Sequence, residues 1–116
     1  MEKAVVAALE DIKARDIVVF KVGHLSPLFE RVIIASADST RQVKALANNV
    51  REKLKEIGAT VLSVEGEGEG EWVLVDLGAI VVHVMQPAIR QYYNLEELWD
   101  QPEPRRPRAR KKAVTT

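Results

Sequence analysis

A chain of 116 residues with 47% hydrophobic content is long enough for one domain with a real core. It contains no cysteine, which excludes a disulfide framework, a thiol nucleophile and a Cys-type metal site. The net charge of zero hides a split: residues 1–100 hold 11 basic and 16 acidic side chains, whereas residues 101–116 hold six basic ones (Arg105, Arg106, Arg108, Arg110, Lys111, Lys112) against Glu103 alone. An acidic body argues against a nucleic-acid-binding fold and favours a basic partner surface.

No apolar run approaches the length of a membrane span, and MEKAVVAALEDIK is a charged amphipathic start rather than a signal peptide. The expectation is a soluble cytoplasmic protein with no membrane partner. Glu2 to about Lys13 reads as a helix, with Val5, Ala8, Leu9 and Ile12 on one face. Ile17 to Lys21 reads as a strand, and Gly23 to Pro27 as a loop holding a solvated His24. Arg31 to Ala35 reads as a second strand. A helix start follows: Ser39 and Gln42 have capping-box spacing, and Asp38 suits the positive end of the helix dipole. That helix runs to Ile57 with Val43, Leu46, Ala47, Val50, Leu54 and Ile57 on one stripe, and Gly58 is its expected cap. Arg41, Lys44, Arg51, Lys53 and Lys55 lie largely off the stripe and read as a solvated face.

Thr60 to Glu65 reads as a third strand. EGEGEGE, Glu65 to Glu71, alternates glycines with carboxylates; these would repel a phosphate, and no helix N-terminus follows to supply donors. It reads as a mobile, acidic hairpin connection, with a weak divalent-ion site as the alternative.

The stretch from Gly70 to Trp99 is the richest. Trp72–Leu77 and Ile80–Met85 are two apolar, β-branched runs of strand length, separated by Gly78 and Ala79. A two-residue hairpin there pairs Leu77 with Ile80, Val75 with Val82 and Leu74 with His83. One face then carries Val73, Val75, Leu77, Ile80, Val82 and Val84. The other carries Trp72, Leu74, Asp76, Val81, His83 and Met85, with Asp76 and His83 as diagonal neighbours within reach of each other. This mixed face has three readings: a second covered core face, a protein-binding surface rich in Trp and Met, or a catalytic site with His83 as base and Asp76 as orienter. Pro87 marks the move into a short helix, Ala88 to Tyr93. Asn94 caps a second turn, Leu95 to Trp99, with Glu96 and Glu97 at its start. Residues 101–116, with Pro102, Pro104, Pro107 and the six cations, read as a disordered tail with weak, non-specific RNA affinity or a solubilising role.

The expected fold is α/β (α+β): a single domain over residues 1–100 with a mixed five-stranded sheet, in the order α-β-β-α-β-β-β-α. Several ordered pieces carry a resemblance. They are Ala35 to Val43, Glu65-Gly66, Gly70 to Asp76, Val82-His83-Val84, Arg90, Tyr93 to Glu96 and Leu98-Trp99. Together they resemble the ribosomal silencing factors, the Iojap-like family, over about residues 2–100. Glu30-Arg31-Val32, Ala37, Leu77 and Ala79 depart from the family's usual pattern. The resemblance implies a nucleotidyltransferase-like fold without enzymatic activity. It also implies binding to the large ribosomal subunit through ribosomal protein number fourteen, and a steric block to subunit joining when nutrients are short.

On that reading Trp72, Leu74 and Met85 supply apolar contact, Asp76 and Glu96 meet basic groups, and His83, Arg90 and Tyr93 position the surface. No cofactor is expected. Off the ribosome, the apolar face offers a site for a second copy. Two readings compete: an RNA binder acting chiefly through the basic tail, and a nucleotide-handling enzyme. The enzyme needs clustered carboxylates for Mg²⁺, and the strands offer Asp76 without an Asp-x-Asp pair.

Overall fold

The computed structural model describes residues 1–99. The elements are α1 (Glu2–Asp11), β1 (Arg15–Lys21), β2 (Arg31–Ser36), α2 (Thr40–Glu56), β3 (Ser63–Glu65), β4 (Trp72–Asp76), β5 (Ile80–Met85), α3 (Pro87–Tyr93) and α4 (Leu95–Trp99). The five strands form one sheet in the order β1-β2-β5-β4-β3. Only β2 and β5 run parallel; the other neighbours are antiparallel, so the sheet is mixed as expected.

The central hairpin has the anticipated register, with Leu74 opposite His83 and Val75 opposite Val82. Gly78 sits first in the loop at φ 91°, the positive φ that two-residue hairpins require there. Leu77 N–H donates to the Ile80 carbonyl at 2.9 Å and closes the turn. The Asp76 carboxylate accepts the Gly78 N–H at 2.9 Å, which fixes the turn further.

Register sorts the side chains. Val73, Val75, Leu77, Ile80, Val82 and Val84 join Ile33 and Ala35 in a core with Val5, Ala8 and Leu9 of α1 and Val43, Leu46, Ala47, Val50 and Leu54 of α2. On the other face a smaller cluster of Val22, Val32, Ile34 and Met85 is covered by Phe20, Phe29, Trp72, Ile89, Leu95 and Trp99. The C-terminal helices and the loop after β1 therefore roof only part of this second face.

Ser39 caps α2 as anticipated, its Oγ accepting the Gln42 N–H at 3.1 Å. The reciprocal arm reaches one residue further than a standard capping box: Gln42 Oε1 accepts from the Asp38 N–H at 2.7 Å. The same Gln42 amide donates to the Ile12 and Lys13 carbonyls at 3.0 and 3.1 Å, so α2 begins by satisfying the end of α1. At the far end Gly58 adopts φ 82°, with Gly58 N–H donating to Lys55 and Ala59 N–H to Leu54, the paired bonds of a Schellman cap. Ile57 departs from the expected stripe. It occupies the C-cap, where the helix has ended, and is 58% exposed.

Two strand boundaries also differ. β1 starts at Arg15 because Asp16 enters a left-handed conformation (φ 51°) and bulges the pairing with β2. β3 is only Ser63–Glu65, since Thr60 to Leu62 leave the ladder apart from one bond from Leu62 N–H to the Asp76 carbonyl. The Glu65–Glu71 connection is built on close glycine approaches. A Cβ on Gly66 would lie 2.1 Å from the Trp72 carbonyl oxygen, and one on Gly70 would lie 2.4 Å from the Thr40 methyl. Glu67 pairs with Arg51 at 3.7 Å, drawing the acidic loop toward the basic side of α2. Among the described residues no three His, Asp or Glu side chains converge as a metal-binding group, this loop included.

Candidate interaction surface

The part of the second sheet face left unroofed lies over β4 and β5, beside α3. Trp72 and His83 are diagonal neighbours there, because Trp72 pairs with Met85 and Leu74 with His83. The Trp72 indole N–H donates to His83 Nδ1 at 3.0 Å. An imidazole that accepts at Nδ1 carries its proton on Nε2 when neutral. Burial pulls the His83 pKa down to about 4, so the ring is uncharged at neutral pH.

The expected Asp76–His83 pair does not form. Asp76 turns toward the hairpin and binds the Gly78 N–H, and the Trp72 indole, on the other diagonal, takes the imidazole instead. The general-base arrangement considered for the two residues is therefore not assembled.

From Trp72 an aromatic series runs outward. Tyr93 lies 4.9 Å from the Trp72 ring, centre to centre, and Tyr92 lies edge-on to Tyr93 at 5.0 Å. Such pairs contribute about 1 kcal/mol each beyond their burial. Tyr93 is 52% exposed and Tyr92 80% exposed, although both are large aromatics. Leu74 is half-buried between Glu65 on β3 and His83 on β5. Glu65, opposite Leu74, and Asp76, on the same face of β4, thus accompany an apolar, aromatic patch of Trp72, Leu74, His83, Tyr93 and Tyr92.

Met85 and Arg90 occupy other places than a contact surface. Met85 is fully buried in the smaller core cluster beneath the C-terminal helices. Arg90 is 9% exposed and makes three internal bonds: Nε to Glu96 Oε2 at 2.7 Å, Nη1 to the Asp16 carbonyl at 2.8 Å, and Nη1 to Ser36 Oγ at 2.8 Å. The left-handed turn at Asp16 aims that carbonyl at the guanidinium. Glu96 is accordingly engaged within the chain, though its side chain is still 30% exposed.

The reading from sequence missed Tyr92, Asp16 and Ser36. Tyr92 had a usable signal, because the positions of α3 that pack inward, Ile89 and Arg90, leave it on the outer side. Asp16 and Ser36 had none, since their contacts with Arg90 span 74 and 54 residues of chain.

Known proteins are similar to this chain over most of its length. The profile of the family described as "Ribosomal silencing factor during starvation" matches residues 1–116. The chain belongs to the ribosomal silencing factor family. It is similar to the ribosomal silencing factor of Chromobacterium violaceum, 54% identical over 99 residues covering 85% of this chain and 81% of that protein. Its similarity to the Bacillus subtilis ribosomal silencing factor is 40% identity over 97 residues, 84% of this chain and 82% of the relative. A crystal structure of a Chromobacterium violaceum protein superposes with a TM-score of 0.85 at 53% identity, covering 90% of this chain and 87% of that one. Membership places the protein among ribosome-associated factors of translation regulation. Among the described residues no helix is long and apolar enough to cross a membrane.

Proposed function

We propose that the protein docks on the large ribosomal subunit through the Trp72–Tyr93 surface and blocks joining of the small subunit by occupying space at their interface. The observation that carries this reading is the half-exposed aromatic patch with acidic neighbours: aromatic residues are enriched at interface cores, and the carboxylates suit a basic protein partner. Ribosomal protein number fourteen, the partner that the family resemblance implies, is the proposed contact. Trp72, Leu74, His83 and Tyr93 supply the contact area, with Asp76 and Glu96 toward basic groups. Met85 supports the surface from below and Arg90 from the side.

On this reading the protein acts in the cytoplasm, under nutrient limitation, as a binding factor and not as an enzyme. His83 is bonded to the Trp72 indole and Asp76 to the Gly78 N–H, so the two do not form a general-base pair. The test is a subunit-joining assay with purified subunits. Added protein should slow joining in proportion to its occupancy of large subunits. Binding to small subunits alone would refute the reading.

The charge split favours an additional contact. Residues 101–116 lie outside the described residues; in sequence their six cations begin at Arg105, six residues after the end of α4. We propose that they add RNA contact. Removing them should reduce the slope of log Kd against log salt by up to about 4, from six cations at ~0.7 each, and leave high-salt binding intact. An unchanged slope would refute this contact.

A further inference from the structure

We infer that Arg90 is a positioning residue: it touches no partner itself and sets the docking surface by holding α3 so that Tyr93 lies against Trp72. The inference rests on the proposed docking role, and adds to it a residue that works from inside the molecule.

α3 has seven residues, too few to hold a helix in water without outside support. It nevertheless carries both tyrosines of the surface. Its start is tied by Pro87 at the first helical turn and by Gln86, whose amide donates to the Gly70 carbonyl at 3.1 Å. Its end is set by Asn94, which takes a left-handed conformation and donates its N–H to the Arg90 carbonyl at 2.9 Å. Between these points Arg90 is the only charged residue of the helix, and its side chain is buried. It reaches the start of β1 through Asp16, the end of β2 through Ser36, and α4 through Glu96. One guanidinium thus fixes α3 to two strands and to the next helix.

The three bonds leave Nε and Nη1 in different directions and need a planar group. A lysine ammonium keeps the charge but cannot reproduce that fork. Arg90 and Tyr93 are three positions apart and so lie on neighbouring parts of the helix surface. A roll of α3 about its axis would carry Tyr93 off the Trp72 ring while the main core, built on α1 and α2, stays intact.

The test uses the full chain and three variants, Arg90→Lys, Ser36→Ala and Glu96→Gln, with two readouts. The first is the Trp72 indole N–H resonance in a ¹H–¹⁵N spectrum, assigned with Trp72→Phe. The Tyr93 ring centre lies 4.9 Å from that of Trp72, so its ring current contributes to this resonance, which reports the ring contact without any ribosome. The second is the Kd for isolated large subunits. Arg90→Lys should shift the Trp72 resonance, leave core methyl resonances such as those of Val82 in place, and weaken binding about tenfold. Ser36→Ala removes one bond and Glu96→Gln keeps an acceptor but loses the charge of the ion pair, so each should give a smaller shift of the Trp72 resonance. They carry the test if Arg90→Lys does not fold.

An unmoved Trp72 resonance with weakened binding would overturn the inference and make Arg90 a direct contact. An unmoved resonance with unchanged binding would overturn it as well. A shifted resonance in a protein whose native form does not bind large subunits would refute the docking role and leave the positioning of Tyr93 by Arg90 standing.

Discussion

Replacing His83 by Asn should flatten the acid side of the stability curve. Asn keeps an acceptor near the Nδ1 position for the Trp72 indole but does not titrate. In the folded protein His83 resists protonation, its pKa lowered by burial from 6.5 to about 4. The unfolded chain therefore binds the proton first as pH falls. Stability contributed by the neutral ring is complete above about pH 6.5 and is lost as pH falls toward 4. At ~1.36 kcal/mol per pH unit the loss between pH 7 and pH 4 is about 3 kcal/mol. That is a large fraction of the stability of a small domain. Urea denaturation of both proteins from pH 7 to pH 4 measures it. The native protein should lose about 3 kcal/mol more than His83→Asn across this window. Parallel curves would show that the imidazole is hydrated in the folded state.

Two further substitutions probe the scaffold. Gly70→Ala should destabilise by about 2–4 kcal/mol, since Gly70 has φ 70° and an added Cβ would meet the Thr40 methyl at 2.4 Å; thermal or urea unfolding measures it. Ser39→Ala should cost about 1 kcal/mol by removing the acceptor for the Gln42 N–H, read as a lower urea midpoint with an unchanged slope.

The sheet's central hairpin was legible because three local signals agree on one register: β-branched runs, a glycine at the first turn position, and alternation of faces. The α2 helix was legible for the same reason, from a serine cap at one end to a glycine at the other. What the sequence does not display is which parts of a sheet face end up covered. Met85 and Trp72 are cross-strand partners on the same face, yet Met85 is fully buried and Trp72 only partly so, because Trp72 is itself part of the cover over the Met85 cluster. The same holds for pairings at a distance. Asp76 and His83 were correctly placed on one face, but their partners are a backbone N–H two residues on and an indole on the neighbouring strand. Arg90 in a short polar helix reads as a surface cation. Only the left-handed turn at Asp16 and the end of β2 make a buried site for it.

The most direct test of the central claim is the Kd of Trp72→Ala for isolated large ribosomal subunits, measured beside the native protein at physiological salt. Trp72 joins His83 and Tyr93 into one surface, and truncating such an aromatic anchor costs about 2 kcal/mol or more. The account predicts binding at least ~30-fold weaker, with a matching loss of the block to subunit joining. A folded Trp72→Ala protein that binds large subunits as tightly as the native chain would contradict it and place the docking surface elsewhere on the molecule.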